Sequence, residues 1–245
     1  MVHPVVVCHQ LRSPENLGAI ARVMANFGLA ELILSDPVTH DFRGVERLAV
    51  KADSVLQRFS VAANLREALG GVVYALGSTS RTSLKRRVAL TPEEGVRRLT
   101  EHSARGKVAL VLGGEKRGLS DDELACCHDV VAIPTPGPQP SMNIAQAAAV
   151  LLYLCAREGT PVQAPAEPGA DGAMLQRLEA KLEAALTACE FLNPQAPGHV
   201  LKELSRSLVH GKLTQREAQL WLSAFEHVRR VTSGKAVSSS RAASR

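Results

Sequence analysis

The sequence predicts an α/β protein built on a parallel sheet, followed by a small helical domain. Short apolar runs alternate with stretches of helical periodicity through the first two thirds of the chain. This alternation is typical of βαβ units whose sheet is covered on both faces. A stretch rich in proline, glycine and alanine then interrupts it, and beyond that stretch apolar residues recur only at helical spacing.

The elements of the sheet domain can be placed in order along the chain. Pro4–Cys8 is a β-branched run and predicts the first strand. Asn16–Phe27 has apolar residues three or four positions apart and predicts the first helix, which ends at Gly28. Further strands are expected at Glu31–Leu34, Val72–Leu76, Val108–Leu112 and Val130–Ile133, with helices at Leu65–Leu69 and Asn143–Glu158. Ligands are expected at the carboxyl ends of these strands.

The C-terminal third is expected to contain a linker, three helices and a tail. Gly159–Gly172 holds three prolines and three glycines with little apolar periodicity, which predicts a linker. Three amphipathic helices follow, broken at Asn193-Pro194 and at Gly211. The predicted segments are 1–158 for the α/β domain, 159–172 for the linker, 173–231 for the helical domain and 232–245 for a disordered basic tail.

The positive charge of the chain lies in its last third. Net charge is +5; residues 1–173 hold 18 Lys/Arg and 18 Asp/Glu, whereas residues 174–245 hold 11 and 6. A basic helical domain on a neutral body is expected either to bind a polyanion or to present a solvated surface.

Composition also indicates the compartment and argues against a metal site. Five cysteines occur without a CxxC spacing, and Cys126-Cys127-His128 has no fourth ligand at zinc spacing, so we expect reduced thiols and no metal. The N-terminus has no signal-peptide pattern and no apolar run approaches the ~18 residues of a membrane span. A soluble cytoplasmic protein is expected.

Three loops at predicted strand ends carry the candidate site. The first, Ser13–Arg22, places Asn16 and Arg22 in the opening turns of a helix, where they could instead be a helix cap and a surface charge. The second, Gly113–Leu119, contains Glu115, which could bind ribose hydroxyls or support the loop. It matches neither the dinucleotide fingerprint nor the P-loop. The third, Ile133–Asn143, is stiffened by prolines, and its Ser141 or Asn143 could simply cap the next helix.

Taken together, the three loops resemble the motifs of a known superfamily. The patterns N-x-G-A-x-x-R, G-G-E-x-x-G-L and a proline loop ending in S-x-N-x-A resemble those of SPOUT enzymes, in their TrmH branch of RNA ribose methyltransferases. The resemblance covers about residues 4–158. Gly77-Ser78-Thr79-Ser80-Arg81 and the trailing helices are similar to the TrmJ-like group, which methylates tRNA at anticodon-loop position 32.

The resemblance implies a deep trefoil knot at roughly Val108–Glu158, S-adenosylmethionine as cofactor, and a homodimer whose active site is completed across the interface. The implied catalytic group is Arg22, Asn16, Glu115, Ser141 and Asn143. The implied cofactor contacts are Thr79, Ser80, Leu112, Gly113, Gly114, Glu115, Gly118, Ile133, Pro134, Ser141, Met142 and Asn143.

The implied reaction is methyl transfer to a ribose 2′-hydroxyl of tRNA. A guanidinium has a pKa above ~12 and is a poor proton acceptor. We therefore expect Arg22 to bind the adjacent phosphate and orient the 2′-oxygen. The basic residues expected at the RNA are Arg22, Arg81, Lys85, Arg86 and Arg87.

Three alternatives remain open from the sequence. The same chemistry could act on ribosomal RNA or another tRNA position. A catalytically idle RNA-binding protein is disfavoured by the presence of Asn16, Arg22, Glu115, Ser141 and Asn143. A nucleotide-dependent oxidoreductase is disfavoured because its fingerprint is absent.

Overall fold

The computed structural model describes residues 2–81, 83–84, 87–158, 167–192 and 197–242. The strands in these ranges are β1 Val5–His9, β2 Leu32–Ser35, β3 Ser60–Ala62, β4 Tyr74–Thr79, β5 Ser83–Leu84, β6 Arg87–Val88, β7 Val108–Gly113 and β8 Asp129–Ala132. Six of them form one parallel sheet in the order β3-β2-β1-β7-β4-β8, and β5 pairs antiparallel with β6.

Helices cover both faces of this sheet. They are α1 Pro14–Asn26, a 3₁₀ turn at Val45–Arg47, α2 Asp53–Leu56, α3 Leu65–Ala68, α4 Pro92–Ser103, α5 Asp121–Leu124, α6 Ile144–Arg157, α7 Gly172–Ala188, α8 Pro197–His210 and α9 Gln215–Ala242. Within the described ranges, none of these helices combines the length and apolarity needed to cross a bilayer.

Two apolar clusters pack against the opposite faces of the sheet. Val6 and Cys8 of β1 belong to the cluster formed with α1, α4 and α6, whereas Val5 and Val7 belong to the cluster formed with α3 and α5. Successive side chains of a strand point to opposite faces, and burying an aliphatic side chain contributes roughly 1.5–3 kcal/mol. This two-sided burial explains why β1 is apolar throughout.

The sequence located the main strands of the sheet but not all its elements. All five predicted strands are present, with ends shifted by up to three residues. The sequence pattern missed β3, a three-residue strand at the sheet edge in which Ser60 and Val61 are exposed. It also missed α4, which begins at a Thr91 N-cap followed by Pro92.

The predicted disordered tail is wrong for the described residues. α9 continues as a helix from Gln215 to Ala242, across the predicted start of disorder at Thr232. The segment 232–242 contains no proline to stop the helix, although Thr232, Gly234, Val237 and four serines are weak helix formers, so propensity does not explain why the helix continues. The predicted break at Asn193-Pro194 and residues 159–166 of the predicted linker lie outside the described residues.

The three C-terminal helices dock on the sheet domain by backbone hydrogen bonds and, among the described residues, by three ion pairs: Arg66–Glu179, Lys202–Asp122 and Lys212–Asp129. The backbone N–H of Gly172 donates to Val72 O (3.1 Å) and that of Ala173 donates to Gly70 O (2.8 Å). In the turn between α8 and α9, Lys212 Nζ donates to Asp129 Oδ2 (2.8 Å). The C-terminal helices therefore form a helical unit with its own small apolar cluster, fixed against the body of the protein.

Candidate functional site

A cleft of about 320 Å³ lies beyond the carboxyl ends of β4, β7 and β8. Its volume is at the lower end of the range for small-molecule sites, roughly 300–1,000 Å³. The residues that line it are Ser78, Thr79, Ser80, Arg81, Leu112, Gly113, Gly114, Glu115, Lys116, Arg117, Gly118, Leu119, Val131, Ile133, Pro140, Ser141, Met142, Ile144 and Ala147. We call this space the cleft.

The glycine loop after β7 forms one wall of the cleft. A Cβ added at Gly114 would lie 2.3 Å from Gln10 O, so only glycine lets this loop approach the end of β1. Gly118 has φ +64°, in the left-handed region that favours glycine. Its N–H donates to Gly114 O (2.9 Å) and closes a tight turn. The backbone of this turn therefore borders the cleft directly.

A chain of hydrogen bonds joins the three candidate loops. Glu115 accepts from the backbone N–H of Arg12 and of Ser13 (both 3.0 Å) and from Asn16 Nδ2 (2.9 Å). Asn143 Nδ2 in turn donates to Asn16 Oδ1 (3.0 Å). Of the two roles open for Glu115, the structure shows the supporting one, because its carboxylate fastens the glycine loop to the start of α1.

The capping residues also distinguish between the alternatives. Ser13, rather than Asn16, is the N-cap of α1, and its hydroxyl accepts from the N–H of Asn16 (3.1 Å). The reading of Asn16 as a helix cap is therefore wrong. Asn143 does cap α6, because its Oδ1 accepts from the N–H of Ala145 (2.8 Å). The same side chain also reaches Asn16, so it does more than cap.

Most of the predicted cofactor contacts border the cleft. Those that line it are Thr79, Ser80, Leu112, Gly113, Gly114, Glu115, Gly118, Ile133, Ser141 and Met142. Pro134 and Asn143 are not part of the lining. Aliphatic side chains beside hydroxyls and glycine backbone suit a ligand with a flat apolar ring and polar substituents. The lining therefore fits an adenosine-bearing cofactor.

Arg22 lies apart from the cleft. Six residues separate it from Asn16, which turns an α-helix by about 240° and moves it along by about 9 Å. Arg22 is exposed, is not part of the lining, and has no hydrogen bond or ion pair within the described residues. The two motif residues of α1 therefore do not converge on one site within this chain.

Of the predicted RNA-binding residues after β4, only Arg81 is described together with its side chain. Arg81 lines the cleft, and its guanidinium donates to Asp121 Oδ1 (2.7 Å) and to Leu119 O (3.0 Å). Lys85 and Arg86 lie outside the described residues, and Arg87 is described only as backbone in β6. Arg81 therefore ties two walls of the cleft together.

A buried network beside the glycine loop was not predicted from the sequence. His9, only 5% exposed, contacts Ser35 Oγ through Nδ1 and Glu123 Oε1 through Nε2, both at 3.0 Å. Glu123 also accepts from Arg117 Nη2 (2.7 Å) and from the N–H of Ser120 (2.7 Å). The capping box S-x-x-E at Ser120 was the signal that could have located Glu123.

The electrostatics of this network favour an ionised Glu123. Burial raises the pKa of the Glu123 carboxyl, but hydrogen bonds from Arg117, Ser120 and His9 outweigh it and lower the pKa to about 2. Arg117 Nη2 also donates to Gln10 Oε1 (2.8 Å). Arg117 lines the cleft, and its guanidinium is positioned by hydrogen bonds to Glu123 and Gln10.

The described residues contain no group of three or more His, Cys, Asp or Glu side chains arranged to hold a metal ion. In the Cys126-Cys127-His128 segment, Cys127 and His128 are buried, and His128 Nδ1 accepts from the N–H of Ala75 (3.0 Å). Burial raises the pKa of the Cys126 thiol.

A parallel sheet with a small-molecule cleft at its carboxyl edge defines an α/β enzyme fold. The sequence profile of the SpoU rRNA Methylase family matches residues 3–153, and the chain belongs to this family. It is therefore an RNA methyltransferase.

Relatives and solved structures extend the comparison to the helical unit. The chain is 31% identical to "tRNA (cytidine/uridine/adenosine-2'-O-)-methyltransferase TrmJ" of Pseudomonas aeruginosa, over 94% of this chain and 95% of that protein. It is 28% identical to "tRNA (cytidine/uridine-2'-O-)-methyltransferase TrmJ" of Klebsiella pneumoniae, over 90% of this chain and 93% of that protein. The crystal structure of TrmJ from Z. mobilis superposes with a TM-score of 0.82 at 24% identity, over 93% of this chain and 99% of the other, and so shares the fold.

Proposed function

We propose that this protein transfers a methyl group from S-adenosylmethionine to a ribose 2′-hydroxyl of tRNA in the cytoplasm, at the cytidine or uridine of anticodon-loop position 32. The observation that carries the proposal is the hydrogen-bonded chain Glu115–Asn16–Asn143, which joins three motif loops beside the cleft. The two relatives described above, which carry tRNA 2′-O-methyltransferase names, match 94% and 90% of the chain, which supports tRNA as the substrate.

The cleft would hold the cofactor, which when bound supplies a methyl group on a sulfonium. Leu112, Ile133 and Met142 would contact its adenine, and the backbone of Gly113 and Gly114 would border it. Thr79, Ser80 and Ser141 offer hydroxyl groups at the rim. Methyl transfer is an in-line displacement, so the main task of these residues is to hold the donor and the ribose oxygen in line.

Arg22 is assigned to the RNA, and the assignment requires a second copy of the chain. The side chain is exposed and unpartnered in the described residues, and it lies outside the cleft of its own chain. In a homodimer it would reach the partner's cleft, where its planar fork can bind a phosphate and orient the 2′-oxygen. A charged guanidinium does not serve as the base that accepts the hydroxyl proton.

The segment 1–158 is proposed as the methyltransferase domain and 173–231 as an accessory domain. Two roles stay open for the accessory helices, which are RNA binding and support of the dimer. Their excess of basic residues favours the first.

The test is methylation by the purified full-length protein, with labelled S-adenosylmethionine and an unmodified tRNA transcript. We expect label at position 32, and none on a transcript whose position 32 is a 2′-deoxynucleotide. Equal labelling of the deoxy transcript would contradict the assignment of the position. Labelling of ribosomal RNA alone would favour the alternative substrate that the family description names.

A further inference from the structure

A second cavity, of about 590 Å³, lies between the sheet domain and the helical unit. Its walls come from the ends of β1 and β2, from α3 and α5, and from α7 and α8. It is larger than the cleft and shares none of its lining residues. The proposed methyl transfer does not use it.

Nearly every charged side chain in the wall of the second cavity has a partner. The pairs are Arg66 with Glu179 (2.5 Å), Lys202 with Asp122 (3.3 Å), Glu123 with Arg117 (2.7 Å) and Asp36 with Gln10 (2.8 Å). Each carboxylate of the wall is therefore engaged by a donor from the protein. Three of the four carboxylates are paired with cations, whereas Asp36, bonded only to the neutral amide of Gln10, keeps its negative charge.

Arg206 of α8 is the exception among these charged groups. It is half-buried in the wall of the cavity, and it forms no hydrogen bond or ion pair with any described residue. A guanidinium is charged at every physiological pH and presents a planar fork of donors suited to a carboxylate or phosphate. The cavity therefore has one cation available for a ligand.

The rest of the wall combines aliphatic side chains with polar ones, the polar ones being Gln10, Asn64, Ser120, Gln176 and Ser205. Apolar side chains from both sides of the cavity border it: Leu65, Leu69, Leu175, Leu208 and Val209. Sites for small organic molecules combine such a lining with a few polar groups, and a volume of about 590 Å³ lies within their range.

We propose that the second cavity binds a small organic anion, with its carboxylate or phosphate on Arg206 and its apolar body against the aliphatic side chains. The inference goes beyond the proposed function and stands without it. Its ligand is defined by two features, one negative charge and an apolar body of about one or two rings.

The test uses two probes that differ in charge, 1-naphthoate and the neutral 1-naphthalenemethanol, titrated calorimetrically into the full-length protein. We expect saturable binding of the naphthoate, at least about tenfold tighter than the alcohol, as a charge-assisted hydrogen bond implies. In Arg206→Gln this preference should disappear. The matched control is Arg177→Gln, an exposed arginine of α7 outside the cavity, which should keep it.

Three results would overturn the proposal: no saturable binding of naphthoate, equal affinity for the two probes, or an unchanged preference in Arg206→Gln. An unchanged preference in Arg206→Gln would mean that naphthoate binds outside the second cavity. The cleft would then be one candidate, because Arg206 is not part of its lining. Arg206→Lys provides a second variant if the glutamine substitution unfolds the protein. It retains the cation but not the fork, and should give an intermediate preference.

Discussion

At the scale of single residues, Arg22 is exposed and without a partner in the described part of the chain, so its substitution tests function rather than folding. We expect Arg22→Lys to lower methyl transfer to tRNA by at least about tenfold, because lysine keeps the charge but loses the bidentate fork. Cofactor affinity and the free energy of unfolding should stay at wild-type values. The measurements are initial rates with a tRNA transcript, calorimetry with S-adenosylmethionine, and denaturant unfolding.

The control for this prediction is Arg58→Lys, another exposed arginine, which has no side-chain partner among the described residues. It should leave all three quantities unchanged. Wild-type methylation in Arg22→Lys would rule out the phosphate-binding role. A loss of cofactor binding would show instead that Arg22 shapes the cleft of its own chain.

Glu123 gives a prediction about pH. Its folded-state pKa is about 2, below the ordinary 4.5, because the hydrogen bonds it accepts outweigh its burial. The ionised carboxylate therefore stabilises the fold fully above about pH 4.5, and this contribution is lost as the pH falls toward about 2. Glu123→Gln has no charge to lose, so the difference in unfolding free energy between wild type and variant should shrink from about pH 6 to about pH 3.

Denaturant unfolding at the two pH values measures that difference. The control is Glu183→Gln on α7, an exposed glutamate that has no side-chain partner in the described part of the chain, for which the difference should stay near zero at both pH values. A pH-independent gap between wild type and Glu123→Gln would mean that the carboxylate is not preferentially ionised in the folded state.

Sequence reasoning identified Glu115 but left its role open, and the reason is distance along the chain. Its partners Arg12, Ser13 and Asn16 lie 99 to 103 residues before it. No local pattern indicates which backbone groups meet a carboxylate across a fold. The contact between His9 and Ser35, which are 26 residues apart, could not be predicted from the sequence for the same reason.

At the scale of elements, the glycine loop after β7 depends on close backbone contact. We expect Gly114→Ala to destabilise the protein by about 1–3 kcal/mol, the usual cost of overpacking, because its Cβ would meet Gln10 O at 2.3 Å. Cofactor affinity should fall as well, since the loop that shifts is a wall of the cleft. Thermal unfolding and calorimetry with S-adenosylmethionine are the measurements.

Gly71→Ala is the matched control, because an added Cβ there meets nothing within 4 Å and its φ is not positive. It should change stability by less than about 1 kcal/mol. If both variants had the same stability and cofactor affinity, the close approach of Gly114 to Gln10 would not contribute to either.

Elements buried on both sides were the ones that the sequence could locate. β1 and β7 are buried along nearly their whole length, so their apolar runs are unbroken. β3 is exposed at two of its three residues and left no such run. The end of α9 has little apolar periodicity, and only its backbone shows that the helix continues.

At the scale of the whole molecule, Lys212 joins the helical unit to the sheet domain. Its Nζ donates to Asp129 (2.8 Å) and lies 5.4 Å from the centre of the Tyr74 ring. We expect Lys212→Met to lower the unfolding free energy by about 1–3 kcal/mol, because a charge-assisted hydrogen bond is lost from a half-buried acceptor. Amide exchange at Gly172 and Ala173, which bond to the sheet domain, should become faster.

Lys181→Met serves as the control, since Lys181 pairs with Glu226 inside the helical unit. It should leave exchange at Gly172 and Ala173 unchanged. Slow exchange at both amides in Lys212→Met would show that the backbone bonds and the remaining ion pairs, Arg66–Glu179 and Lys202–Asp122, hold the helical unit in place without Lys212.

The arrangement of the whole molecule was the part least accessible from the sequence. Composition and periodicity predicted a body and a helical appendage, but the docking depends on contacts between residues far apart in the chain, such as Lys212 with Asp129, 83 residues earlier. The trefoil knot at 108–158, implied by resemblance alone, stays a prediction.

Arg117 and Glu123 stand back to back between the two cavities, Arg117 lining the cleft and Glu123 lining the second cavity. A cationic compound that paired with Glu123 from the second cavity would compete with Arg117 for this carboxylate, and we expect it to weaken cofactor binding without occupying the cleft. By linkage, the cofactor would weaken that compound's binding by the same factor. Such a compound would lower the bound fraction of a cofactor probe although it does not occupy the cleft, and a screen run without cofactor would favour its detection.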